Sequence, residues 1–146
     1  MTEPQDAGLS GKIASALLHG LPDAVIYCDR GGAIRFWNAG ATRMFGFAED
    51  EALGQSLDII IPERLRKRHW DGYDRMMETG ESRHAADALL AVPATTRSGE
   101  AISVQFTVAA VRDDGGAITG IVALLRDVTG QFAEMKRLRA QARAGG

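Results

Sequence analysis

Cysteine is almost missing from this chain of 146 residues, in which Cys28 stands alone. A single thiol permits no internal disulfide, and we expect a reducing, cytoplasmic setting. The chain also has no basic start followed by an apolar stretch and no apolar run of about 20 residues, so it predicts neither a signal peptide nor a transmembrane helix. Its formal charge of −2 provides no overall basic field, which argues against nucleic acid as a partner.

The motifs of common enzyme classes are missing as well. No glycine-rich phosphate loop follows a strand pattern, no HExxH segment occurs, and no set of serine, histidine and aspartate has a supporting motif. The three histidines, His19, His69 and His84, are too widely spaced for a zinc signature. We therefore expect one domain without enzymatic activity.

The sequence predicts two short helices in its first 46 residues. Residues 1–7 have no apolar period and predict a loose terminus. Residues 11–18 carry apolar side chains at helical spacing, with Ser10 as the expected cap. Asn38 is the expected cap of a second short helix, which Gly46 ends.

Capping residues and helical spacing also predict two further helices and a C-terminal helix. Residues 48–54 predict a short helix closed by a glycine. The long helix is expected to start at Pro62, because proline suits the first helical position, and to continue to Gly80. Residues 131–144 combine apolar positions at helical spacing with strong helix formers, and they predict a helix leaving the domain.

Five segments show strand patterns. Residues 23–29 and 33–38 flank the turn sequence DRGG and predict a hairpin, and residues 86–96, 101–111 and 117–128 alternate with period two between short turns. This order predicts an α+β domain, a five-stranded antiparallel sheet with its helices on one face. Three parts are expected: a tail and amphipathic helix in residues 1–20, the sheet domain in residues 21–129, and a helix and tail in residues 130–146.

The spacing of these elements resembles the PAS sensor-domain family from about residue 21 to residue 129. The residues that carry the resemblance are Asn38, Phe45-Gly46-Phe47, Gly54 and Asp127-Val128-Thr129. The resemblance implies a PAS fold, whose sheet and surrounding helices enclose a pocket for a cofactor or small ligand. It also implies that signals pass through the terminal helices. A fold does not fix the chemistry of its site.

His69 suggests a subclass, because Pro62, Leu65, Arg66 and His69 occupy the positions of the P-x-x-L-R-x-x-H motif of the iron-binding PAS members. That likeness implies haem b with His69 as the axial ligand of the metal. Helical spacing puts His69 on one face with Leu65 and Tyr73, and this face is expected to point at the sheet. One departure is the segment WDG, which is one residue longer than haem members usually show.

The remaining expected site residues fall into two sets. His84 resembles a histidine near a haem propionate in oxygen-sensing members, and Arg75 is a second cationic partner for such a group. The opposite wall is expected to be apolar and to offer no second ligand, which suits carbon monoxide, nitric oxide or weakly held oxygen. Its residues are Leu90, Phe106, Val108, Val122 and Leu124.

Three alternatives stay open at this point: haem, a different ligand, or no cofactor at all. The light-sensing flavin subclass is excluded, because its reactive cysteine is missing from the stretch SLDIIIP, and Cys28 is expected to be a small buried hydrophobe. A different flavin or small organic ligand remains compatible with a sensor. In the third alternative His69 is a core residue of a cofactor-free module for dimerisation or protein interaction. In all cases we expect a homodimer that signals to a separate kinase or regulator.

Overall fold

The computed structural model describes residues 4–81 and 91–145. Across these two ranges no helix has both the length and the hydropathy needed to cross a membrane. The helices and strands are α1 (Pro4–His19), β1 (Ala24–Asp29), β2 (Ile34–Trp37), α2 (Ala39–Phe45), α3 (Glu49–Ala52), α4 (Arg66–Thr79), β3 (Val92–Thr95), β4 (Ala101–Arg112), β5 (Ile118–Asp127) and α5 (Thr129–Gly145).

The five strands form one antiparallel sheet in the order β2-β1-β5-β4-β3. The expected α+β architecture and both hairpins of the second half are therefore confirmed. Because β5 lies between β1 and β4, the first and last strands of the chain meet at the centre of the sheet. One face of the sheet packs under the helices. The largest fully buried side chains of the described core come from the strands and from α2, and they are Trp37, Phe45, Ile26, Ile34 and Val104.

Asn38 joins three elements around the start of α2, as its predicted role as a cap requires. Its Oδ1 accepts from the backbone N–H groups of Ala41 and Val25, both at 2.9 Å. Its Nδ2 donates to the carbonyl oxygens of Leu18 at 2.7 Å and Asp23 at 3.2 Å. The buried amide therefore ties the end of α1 to β1 and α2.

Two expected boundaries are wrong, and a third lies partly outside the described residues. Helix α1 begins at Pro4, so Ser10 lies inside it and does not cap it. The first turn of a helix tolerates proline and polar residues. Because these residues show no apolar period, the sequence pattern did not reveal the first turns of α1. The apolar run before Pro62 forms a 3₁₀ turn at Leu57–Ile60, and a second 3₁₀ turn at Glu63–Leu65 delays α4 to Arg66. Strand β3 is described only from Val92; residues 86–90 of the expected strand lie outside the described residues.

Candidate functional site

A cavity lies between α4, the 3₁₀ turn before it and the inner face of the sheet. Its volume is about 130 Å³, and the free space between its walls is about 680 Å³ when the open mouth is included. Most of the described lining is apolar, and the polar side chains among it are those of His69, Tyr73 and Cys28. The described lining residues are Ile26, Cys28, Leu57, Ile60, Ile61, His69, Tyr73, Val92, Pro93, Ala94, Val104, Phe106, Val108, Ile121, Ala123 and Leu125.

His69 lines this cavity from the first half of α4. Its Nδ1 is buried and has no hydrogen-bond partner among the residues that the structure describes. Burial lowers the pKa of the imidazole below its ordinary value, and the negative charge of Asp58 opposes this effect in part. The ring is therefore neutral near pH 7, which is the form that binds metals.

Tyr73 lies one helical turn after His69 and also lines the cavity. Its hydroxyl donates to the carbonyl oxygens of Cys28, at 3.1 Å, and Asp29. Burial is the main cause that raises the pKa of this hydroxyl. Because a phenol carries a single proton, these carbonyls already engage it, and Tyr73 holds α4 against the end of β1.

Cys28 is buried, as expected of a small hydrophobe, and it also forms part of the cavity wall. Burial, with a smaller effect of the nearby Asp29, raises the pKa of its thiol to about 12. The thiol is therefore protonated at neutral pH and is a weak nucleophile. Within the described ranges no three histidine, cysteine, aspartate or glutamate side chains gather into a site for a metal ion.

The structure brings together four of the nine residues expected at the site: His69, Tyr73, Phe106 and Val108. His84 and Leu90 lie outside the described residues. Arg75 is exposed and is not among the described residues that line the cavity, so its role as a propionate partner stays a prediction. It lies six residues after His69, about 240° further around the helix.

Val122 and Leu124 were assigned to the wrong face of the sheet. Phe106, on the inner face, pairs with Leu125, and Val108 pairs with Ala123. Directly paired residues of antiparallel strands share a face, so the inner face of β5 carries its odd-numbered residues. Leu124 is accordingly 37% exposed, whereas Leu125 is 7% exposed.

Several wall residues were not predicted as part of the site. Leu57, Ile60 and Ile61 come from the apolar run before Pro62. The signal was present in the sequence, because four apolar residues in five positions precede the helix. The 3₁₀ conformation that turns them towards the cavity leaves no distinct sequence period.

The donor chemistry of the cavity fits a haem group. A neutral imidazole is a good axial ligand, apolar walls suit the macrocycle, and the unpartnered Nδ1 marks a histidine whose polar capacity the described protein residues do not use. The cavity is too small for haem unless its walls move. A cavity of about 130 Å³ is close to the roughly 150 Å³ of an engineered cavity that binds benzene, so a macrocycle requires the walls to move apart.

Comparison with known proteins identifies the family. Residues 14–128 match the family model described as PAS fold. The chain is 32% identical over 125 residues to the sensor protein FixL of Bradyrhizobium diazoefficiens, covering 85% of this chain and 24% of that protein. It is 24% identical over 134 residues to the oxygen sensor protein DosP of Escherichia coli, covering 92% of this chain and 16% of that protein.

A solved structure agrees with the fold. The PAS domain of a protein from Colwellia psychrerythraea superposes with a TM-score of 0.72 at 17% identity, covering 84% of this chain and 98% of that chain. The chain spans about a quarter or less of the length of the two curated relatives. It therefore matches them over the region of one domain, and the chain belongs to the PAS family.

Proposed function

We propose that this PAS sensor domain binds haem b through His69 and reports a diatomic gas or a redox change to a signalling partner. The observation that carries the proposal is the neutral imidazole at an apolar cavity, with a buried Nδ1 that no described residue contacts through a hydrogen bond. A buried polar atom without a partner calls for an explanation, and a bound ion or ligand is one. The relative named an oxygen sensor supports the same class of signal.

The cavity residues have different roles in this proposal. His69 would hold the iron, and its lowered pKa keeps it unprotonated and able to do so. Bound haem iron would supply an open coordination position for a gas. Phe106 and Val108 line the cavity from β4 and would present an apolar surface to the bound group. Tyr73, already bonded to β1, keeps α4 in place as the wall that carries the ligand.

A route to the terminal helices starts at the cavity wall. Leu125 lines the cavity on β5, and Thr129, four residues later, begins α5. The backbone N–H and the hydroxyl of Thr129 both donate to Asp127 Oδ1, at 2.9 and 2.6 Å. A movement of β5 would therefore reach α5 directly, while Asn38 connects the sheet to Leu18 in α1.

Haem titration of the purified protein tests the ligand. We expect a Soret band that saturates at one haem per chain and that His69→Ala shifts or abolishes. His19→Ala is the matched control, because His19 is exposed on α1 and does not line the cavity. His84→Ala tests the expected propionate partner, and it should weaken binding without changing the axial ligand. A band that His69→Ala leaves unchanged would contradict the proposal.

A small apolar molecule is the second candidate ligand, and the cavity volume of about 130 Å³ favours it. Such a molecule would fit without movement of the walls, and a polar group on it would complete the bonding of His69. Ligands that bind only the folded state raise its melting temperature. We would expect a thermal shift with indole or phenol that His69→Ala reduces, in a protein that takes up no haem.

We also propose that the domain acts as a homodimer in the cytoplasm and passes its signal to a separate kinase or regulator, without a catalytic step of its own. On α1, Leu9, Ile13 and Leu17 recur every four residues and are 57%, 50% and 49% exposed. Such a stripe at helical spacing is typical of a helix that packs against a partner. Light scattering should show a dimer that Ile13→Glu dissociates, whereas Ser15→Glu on the opposite side of α1 should not. A monomeric wild-type protein would contradict this part.

A further inference from the structure

Trp70 lies next to His69 on α4, but it is not among the described residues that line the cavity. The centroids of the two rings are 4.6 Å apart, and their planes meet at 76°. This edge-to-face arrangement is a favourable one for aromatic rings. Trp70 therefore contacts the imidazole without being part of the cavity wall.

The indole is itself fixed from two sides. Its Nε1 donates to Asp58 Oδ1 at 2.7 Å. Its six-membered ring lies on Gly32 in the hairpin between β1 and β2, where an added Cβ would come within 2.4 Å of Trp70 Cη2. Gly32 also has a φ of +83°, which side chains rarely adopt. The hairpin therefore keeps a glycine where the indole needs room.

Asp58 is held in turn by the start of α4. Arg66 Nη2 donates to the carbonyl oxygen of Asp58 at 3.3 Å, and Arg66 Nε lies 4.0 Å from its Oδ1. The backbone N–H of Asp58 donates to Ser56 Oγ at 3.1 Å. The carboxylate that orients the indole thus belongs to the same 3₁₀ turn as Leu57 and Ile60, which line the cavity.

We propose that Trp70, anchored by Asp58 and seated on Gly32, is a positioning residue that fixes the ring of His69 for its ligand. The inference rests on the proposed function of His69 and extends it to two residues outside the cavity. Trp70 restricts the imidazole to one orientation and covers it from water, while Asp58 sets the orientation of the indole. Residues that orient a metal-binding histidine typically change metal affinity by about 10- to 100-fold when they are replaced.

Nuclear magnetic resonance of the haem-free protein at pH 8 tests the anchor without any cofactor. The ring protons of His69 and Trp70 should show strong nuclear Overhauser contacts in the wild type. Asp58→Asn keeps an acceptor for the indole N–H and should preserve these contacts, whereas Asp58→Ala removes the acceptor and should weaken them. Both variants remove the charge and keep both rings, so their difference isolates the hydrogen bond. Asp71→Asn, on the exposed side of α4, is the control.

Haem titration of the same variants tests the consequence. Trp70→Ala and Asp58→Ala should lower haem affinity by about 10- to 100-fold, with Trp70→Phe and Asp58→Asn closer to the wild type. Unchanged contacts between the rings in Asp58→Ala would overturn the inference whether or not haem binds. Wild-type protein that takes up no haem, with ring contacts that respond as expected, would refute the haem proposal and leave the positioning of His69 standing. Haem binding that none of these replacements changes would overturn the inference alone.

Discussion

Replacing His69 by leucine is expected to stabilise the ligand-free protein. The buried Nδ1 has no partner among the described residues, and an unsatisfied buried polar group costs about 1–3 kcal/mol. Leucine removes that cost and can add apolar contact with the cavity wall. Because the imidazole is only partly buried as a whole, we expect the lower part of the range, a gain of about 1–2 kcal/mol in the free energy of unfolding.

Urea denaturation followed by circular dichroism at pH 8 measures this difference. His19→Leu on the exposed end of α1 is the control, and it should change the free energy of unfolding by less than about 0.5 kcal/mol. A loss of stability in His69→Leu larger than about 1 kcal/mol would refute the reasoning. It would mean that the imidazole stabilises the folded state and is not an unsatisfied group that a ligand would complete.

The same variant carries a prediction about pH. Burial lowers the pKa of His69 in the folded state below the ordinary value of 6.5, so the unfolded chain takes up its proton first as the pH falls. The contribution of His69 to the free energy of unfolding should therefore decrease as the pH falls below about 6.5. It should stop decreasing once the pH is below the pKa of His69 in the folded state. His69→Leu should lack this part of the acid dependence, and an unchanged profile would contradict the assigned shift.

Three further replacements test the fold around the site. Asn38→Ala should cost about 3 kcal/mol or more in urea denaturation, because it removes a helix cap and leaves buried backbone groups without partners; a cost below about 1 kcal/mol would contradict its role. Gly72→Ala should add up to about 1 kcal/mol in the same assay, because an added Cβ meets open space in the helix, and a loss would mean that the backbone there is strained. Leu125→Gln should lower the melting temperature far more than Leu124→Gln, and the reverse order would refute the assigned inner face of β5.

The sequence predicted the architecture well where two signals coincided. Asn38 was identified as a cap because it stands between a strand pattern and a helical one, and Gly46 because the apolar period stops there. Gly80 ends α4 with a φ of +76°, as the change of period at that residue predicted. In each case the local residue and the periodicity pointed to the same boundary.

The face of β5 could not be predicted from its sequence. The segment IVALL is apolar at every position, so a period of two is present in the structure but not in the pattern. Pairing with β4 decides the face, because Phe106 lies opposite Leu125 and Val108 lies opposite Ala123. Only the register shows that Leu124 faces outwards.

The site was predicted in part for a similar reason. His69 and Tyr73 are four residues apart, and helical spacing alone puts both on the face that meets the sheet. The turn at Leu57–Ile60 and the role of Trp70 depend on contacts between segments that are far apart in the chain. No local pattern could have shown that Gly32 of the hairpin makes room for an indole from α4.

Replacement of His69 by glycine, followed by addition of imidazole, tests the central claim most directly. The account predicts that His69→Gly loses the haem spectrum of the wild type and that imidazole, entering the space left by the side chain, restores it. His19→Gly should keep the wild-type spectrum without imidazole. A His69→Gly protein whose spectrum equals that of the wild type before imidazole is added would contradict the account.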